Sequence, residues 1–128
     1  MGGVASHAGL FAPAADVARL AAAVADPASS FLPPELAAAI FASPAEGGSH
    51  VLGWDSPALH GSSCGGLLSR RSRGHLGFTG CSLWVDPDRG ISVVLLSNRV
   101  HPSRSDERIR AFRPALHDAV AHFVDSVR

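Results

Sequence analysis

Lysine and tyrosine are both absent from this 128-residue chain, and all eleven of its basic side chains are arginine. Schiff-base chemistry, the phosphate-gripping P-loop lysine and the Ser-x-x-Lys nucleophile each need a lysine amine, so none can be built from residues 1–128. An excess of one charge is missing too: eleven acidic residues balance the eleven basic ones. No strong overall field therefore draws the chain to polyanions, and neither nucleic acid nor a membrane is expected as a partner. No apolar run approaches the roughly 18 to 20 residues that span a bilayer, because Arg19 and Asp26 interrupt the most apolar stretch. No basic residue precedes the apolar N-terminal residues, so no signal peptide is read there and a soluble chain is expected. Cysteine is scarce. Cys64 and Cys81 lack C-x-x-C spacing and fit a reduced protein as easily as one disulfide.

What is present is enough to fold. Hydrophobic residues make up 46% and charged residues 17%, which excludes a disordered polyelectrolyte and predicts a single unit, 1–128, with one core. Val17, Leu20, Ala21 and Val24 recur at helical spacing after Pro13, with Asp16 in the first turn. Pro33 and Pro34 open a shorter helical pattern through Leu36, Ile40 and Phe41, which Ser43-Pro44 ends. The expected organisation is helical over 1–45, an irregular Gly/Ser/Pro-rich loop over 46–74, and a sheet with a C-terminal helix over 75–128. Three β-rich runs, 75–79, 82–85 and 91–97, suggest a meander, and 86–90 is turn chemistry. Val93 to Leu96 are consecutively apolar, which predicts a strand covered on both faces in mid-sheet. Ile109, Phe112, Leu116, Val120, Phe123 and Val127 predict a closing helix, bent or restarted near Pro114. The fold class is α+β: a three-stranded antiparallel sheet packed with N-terminal and C-terminal helices.

Gly61-Ser62-Ser63-Cys64-Gly65 has the G-x-S-x-G spacing of a nucleophile elbow but neither the strand before it nor the helix after it, so a plain loop is expected. Of the seven histidines, His117 and His122 are five apart and fall on different helix faces, so no metal site is expected. Arg70, Arg71 and Arg73 are expected to be solvated surface. The segment 74–80, Gly-His-Leu-Gly-Phe-Thr-Gly, is different, because glycine in a strand marks either close approach of a ligand or a bulge beside a satisfied histidine. Spacing alone leaves both open.

Three blocks in order carry a resemblance. Gly2 to Phe11, followed by Ala14-Ala15-Asp16, looks like the GG-V-A-x-HAGLF-(S/T)-x-A-x-D-L-A stretch of the serine β-lactamase, DD-peptidase and esterase superfamily. His75-Leu76-Gly77 with Phe78-Thr79-Gly80 is similar to that family's third motif, K-T-G or H-T-G. Residues 82–87 and the run to Arg99-Val100-His101-Pro102 resemble the two strands that follow it. The resemblance covers the C-terminal portion of the family only and implies a partial β-lactamase/transpeptidase-like fold, with the nucleophile and Tyr-x-Asn or Ser-x-Asn motifs upstream of Met1. It implies catalytic roles for His75, in place of the family's lysine or histidine, and for Phe78, whose backbone N–H maps to an oxyanion donor. It implies substrate-binding positions at Gly77, Thr79 and Asn98. Leu76 departs from the pattern: a hydroxyl there would bind a substrate carboxylate, and its loss favours an uncharged ester.

The resulting expectation is the C-terminal portion of a serine acyl hydrolase acting on esters, β-lactams or D-amino-acid peptides, inactive alone. It would take a small-molecule acyl substrate once completed by an N-terminal part, and it calls for no cofactor. A noncatalytic interaction module derived from that fold is the alternative, and a complete small enzyme using Ser63 with His117 is a third reading. An unpaired edge on the 91–97 strand would favour self-association.

Overall fold

A computed structural model describes residues 2–3, 8–44 and 48–128. Val4 to His7, within the first of the three motif blocks, and 45–47, at the start of the expected loop, lie outside the described residues. Helix α1 spans Ala14–Ala25, with Pro13 in extended conformation as its N-cap and Asp16 in its first turn. It stops at Asp26, which precedes Pro27 and is held extended at φ −81° and ψ 112°. Helix α2, Pro34–Ile40, begins with proline at its first position, where the missing N–H costs nothing.

The sheet has five antiparallel strands rather than three: β1 (His50–Val51), β2 (Trp54–Asp55), β3 (Arg73–Leu76), β4 (Ser82–Asp86) and β5 (Ile91–Leu95), in that order across the sheet. The two extra strands fall in the segment read as loop, and at two residues each they are too short to show an alternation. Leu52 and Gly53 join them, both at positive φ. The turn 86–90 forms as expected: Asp86 Oδ1 accepts the N–H groups of Asp88 and Arg89, and Gly90 takes φ +60°.

Register divides the sheet faces. Trp84 pairs with Val93, Ser82 with Leu95 and Asp86 with Ile91, so these side chains share one face. Helix α3, Ile109–Ser126, lies on it: Ala121 packs with Trp84, Cys64 and Leu68, and His117 Nε2 meets the Ser82 hydroxyl at 3.1 Å. Opposite lies α1, packed against β4 and β5 through a seam containing buried Ala21 and Val24. Burying one valine of this kind contributes about 1.5 to 3 kcal/mol. Gly74 is required beneath Trp84, because a Cβ there would collide with the indole and with the Leu83 carbonyl.

Four expectations change here. Strand β5 pairs only with β4 among the described residues, so it lies at the edge of the sheet and not in its middle, although both its faces meet helices. Helix α3 continues through Pro114 without restarting. Its buried residues are Ile109, Arg113, His117 and Ala121, four apart on one face, and their seating on the sheet holds both halves as one helix. The apolar stripe read from the sequence is largely outside this seam, with Phe112, Phe123 and Val127 exposed. Arg73, grouped with the surface arginines, is buried: Nε donates to Ile40 O at 2.7 Å, Nη1 to Ser72 O at 2.7 Å, and Nη2 to Ala42 O. It ties the end of α2 to the start of β3.

Candidate active site

Strand β3 ends at Leu76, and 77–80 form a β-turn closed by Gly80 N–H donating to Gly77 O at 3.0 Å. Gly80 sits at φ +109°, and a Cβ on it would strike the Ser97 hydroxyl and the Arg99 side chain, so only glycine fits. Every carbonyl from 77 to 81 is engaged. Arg113, 7% exposed, donates from Nη2 to Gly77 O and Cys81 O, each at 2.7 Å, and from Nε to Gly80 O at 3.2 Å. Arg99 donates its backbone N–H to Thr79 O at 2.7 Å and its Nε to Phe78 O at 2.8 Å. Its guanidinium also lies 4.6 Å from the Phe78 ring centre, a cation–π distance.

The donors are arranged the other way. Gly77 N–H is used by Cys81 O, but among the described residues the N–H groups of Phe78 and Thr79 donate to nothing, and both residues are exposed. A turn with its carbonyls held, all but Thr79 O on guanidinium donors, and with two N–H groups left open has the chemistry to take an anion. It can stabilise an oxyanion that forms on a substrate carbonyl.

His75, exposed on β3, donates from Nδ1 to Leu76 O at 2.9 Å, which leaves Nε2 as the free acceptor. Asn98 is exposed, and its Oδ1 accepts Val100 N–H and His101 N–H at 3.2 Å each, so its Nδ2 is the group available to a ligand. The Arg99 to Thr79 bond brings Asn98 beside the turn. Thr79 keeps its hydroxyl 3.6 Å from Cys81 Sγ. The structure thus gathers His75, Gly77, Phe78, Thr79 and Asn98 around one turn. Sequence reasoning missed Arg99 and Arg113, the cations that shape this turn, because neither belongs to an apolar pattern.

The reading that joins Ser63 to His117 is corrected. His117 is fully buried, its Nε2 is bonded to Ser82, and Ser63 sits in an irregular turn with no helix behind it. Burial, reinforced by Arg113, pushes the His117 pKa down and keeps the ring neutral. Cys64 and Cys81 are free thiols, and burial pushes the Cys64 thiol up. Among the described residues no three His, Cys, Asp or Glu side chains converge as metal ligands, and no helix is long and apolar enough to cross a membrane. A hollow of about 420 Å³ lined by Ala23, Leu32, Ala38 and Arg71 lies between α1 and α2 and includes none of the turn residues.

This fold is that of a β-lactamase: the chain superposes over 86% of its length, with a TM-score of 0.67 and 25% identity, on 43% of a crystallised beta-lactamase from Mycobacterium bovis. Residues 1–116 match the beta-lactamase family model, and the chain belongs to that family, within the serine β-lactamase and DD-peptidase superfamily of hydrolases. Proteins of Escherichia coli O157:H7 and of strain K12, each described as a "putative D-alanyl-D-alanine carboxypeptidase", are 31% identical over 112 residues, 83% of this chain. The chain spans about a quarter of the length of these curated relatives, 26% in each case.

Proposed function

We propose that this chain forms one wall of a serine acyl hydrolase site, with the nucleophile supplied by residues outside 1–128. The observation that carries the reading is the pair of undonated N–H groups at Phe78 and Thr79, following His75-Leu76-Gly77 in a turn whose carbonyls are all held. A serine oxygen supplied from outside attacks the substrate carbonyl, the acyl bond to the leaving group breaks, and the serine proton passes to that group. Phe78 N–H holds the developing oxyanion, a contribution of about 2.7 to 4 kcal/mol for a donor of this kind. Nε2 of His75 accepts or relays the proton, and Asn98 Nδ2 and the Thr79 hydroxyl orient the substrate. Leu76 offers no hydroxyl to a substrate carboxylate, so uncharged esters are favoured over β-lactams and D-alanyl peptides.

Among the described residues strand β5 has an open outer edge, and Leu10 and Phe11 are almost fully exposed. These features support completion of the sheet by a further strand or, in the isolated chain, self-association through Ile91–Leu95. A noncatalytic interaction module would use the same edge.

The test is covalent labelling. Residues 1–128 alone, incubated with a fluorophosphonate or a fluorescent penicillin, are expected to show no adduct by intact mass. The same residues preceded by a segment bearing Ser-x-x-Lys are expected to label stoichiometrically on that serine. An adduct on any serine of 1–128, or no adduct on the extended protein, overturns the proposal.

A further inference from the structure

A buried guanidinium is costly unless its donors are met, and an unpaired charge is costlier still. Among the described residues no carboxylate bonds Arg113, and its three observed bonds all go to the carbonyls of one turn. One of these is decisive for geometry. Gly77 C=O and Phe78 N–H belong to the same peptide group, and the one cis peptide bond among the described residues is His101–Pro102, so the C=O and N–H bonds point in opposite directions. Holding Gly77 O on Arg113 at 2.7 Å therefore aims the Phe78 N–H away from α3. The bond is also charge-assisted, and a cation on the carbonyl oxygen draws electron density from the amide and strengthens its N–H as a donor.

We infer that Arg113 is the positioning residue of the oxyanion donor, acting from helix α3 through the Gly77–Phe78 peptide to orient and polarise the Phe78 N–H. Gly80 O and Cys81 O fix the guanidinium plane, so the fork reaches Gly77 O in one orientation. Lysine cannot reproduce this, because a point donor on a flexible stem cannot span three carbonyls in a plane. The inference rests on the acyl-hydrolase reading and adds to it a specific residue on a different element from the motif.

The test has two arms. In the 128-residue chain labelled with ¹⁵N, Arg113→Lys is compared with Arg113→Gln, the fold being checked by the amide shifts of β4 and β5. Both variants are expected to shift the Phe78 amide resonance and quicken its exchange while those strand signals stay in place. If Arg113→Lys does not fold, Arg99→Gln with Arg113 intact takes its place: among the carbonyls of 77–81 it frees Phe78 O alone, besides Arg104 O and Asp106 O outside the turn, so Thr79 N–H is expected to shift more than Phe78 N–H. A larger shift at Phe78 overturns the inference. In the nucleophile-bearing protein, Arg113→Lys is expected to lower kcat about tenfold or more with KM little changed. Affinity for an arylboronate, which mimics the tetrahedral adduct, is expected to fall in parallel with kcat. Failure of the wild-type protein to acylate sinks the acyl-hydrolase reading and the oxyanion role together. A wild-type protein that acylates while folded Arg113→Lys keeps full kcat and boronate affinity sinks the inference alone.

Discussion

Arg73 and Arg113 meet the same problem at opposite ends of the sheet. Each is a buried guanidinium bonded to main-chain carbonyls and, among the described residues, to no carboxylate, and burial lowers the pKa of each. Arg73 collects carbonyls from separate segments, Ile40 at the end of α2, Ala42 just beyond it and Ser72 before β3, and so joins them. Arg113 collects three carbonyls from a single five-residue turn, a grip that adds little to long-range connectivity. What it achieves is local: the turn is frozen with two N–H groups facing outward. The same interaction joins separate segments at one end and leaves two open N–H groups on a turn at the other, and the difference lies in what the carbonyls' own peptides do with their donors.

Substituting the two arginines separates these roles. Arg73→Leu is expected to cost about 3 kcal/mol or more, because buried carbonyls left without donors cost about 1 to 3 kcal/mol each, and a urea midpoint will show it. A loss below 1 kcal/mol would mean that water replaces the guanidinium and that the two ends are not comparable. Gly80→Ala, in the turn itself, is expected to cost about 1 to 3 kcal/mol from its φ of +109° and from crowding by Ser97 and Arg99. Its Phe78 amide should move with it, and an unshifted amide would detach the turn from the site.

A pH series probes the Arg113 end through its helix neighbour. His117 is held neutral in the fold, so below about pH 6.5 the unfolded chain binds a proton that the folded chain resists. Tm should fall between pH 7 and pH 5. Asp86 acts at lower pH: burial pushes its carboxyl up, but bonds from Ser69 and Arg89 outweigh that and hold it below the usual range, so its contribution is lost as pH falls through its lowered value. His117→Gln should flatten the pH 7 to 5 slope, and an unchanged slope would place the titrating group elsewhere. The smallest effect is expected at the exposed Arg71–Asp88 pair at 2.8 Å, where Asp88→Asn should change stability by less than about 1 kcal/mol.

The parts of the molecule legible in its sequence are those with a local signal. Helix α1 shows in its apolar spacing and its prolines, the β4–β5 hairpin in Asp86 to Gly90, and the 77–80 turn in the glycine-rich run from His75 to Gly80. Arg73, Arg113 and His117 were not legible as buried residues, because the partners that bury them include groups more than 30 positions away and a polar side chain reads as solvent-facing. The apolar stripe of α3 misled for the complementary reason: the sheet selects the face that bonds it, and that face carries Arg113 and His117 while Phe112 and Phe123 stay outside.

The most direct measurement of the central claim deletes one hydrogen. Phe78 occupies the second position of the 77–80 turn at negative φ, where proline is well accommodated, so Phe78→Pro removes the N–H while keeping the turn. Phe78→Ala removes the ring and keeps the N–H. In the nucleophile-bearing protein, kcat for ester hydrolysis is predicted to fall about 10²- to 10³-fold in Phe78→Pro and to stay within a few-fold of wild type in Phe78→Ala. Equal rates in the two variants would contradict the account, because the backbone donor would then play no part in the reaction.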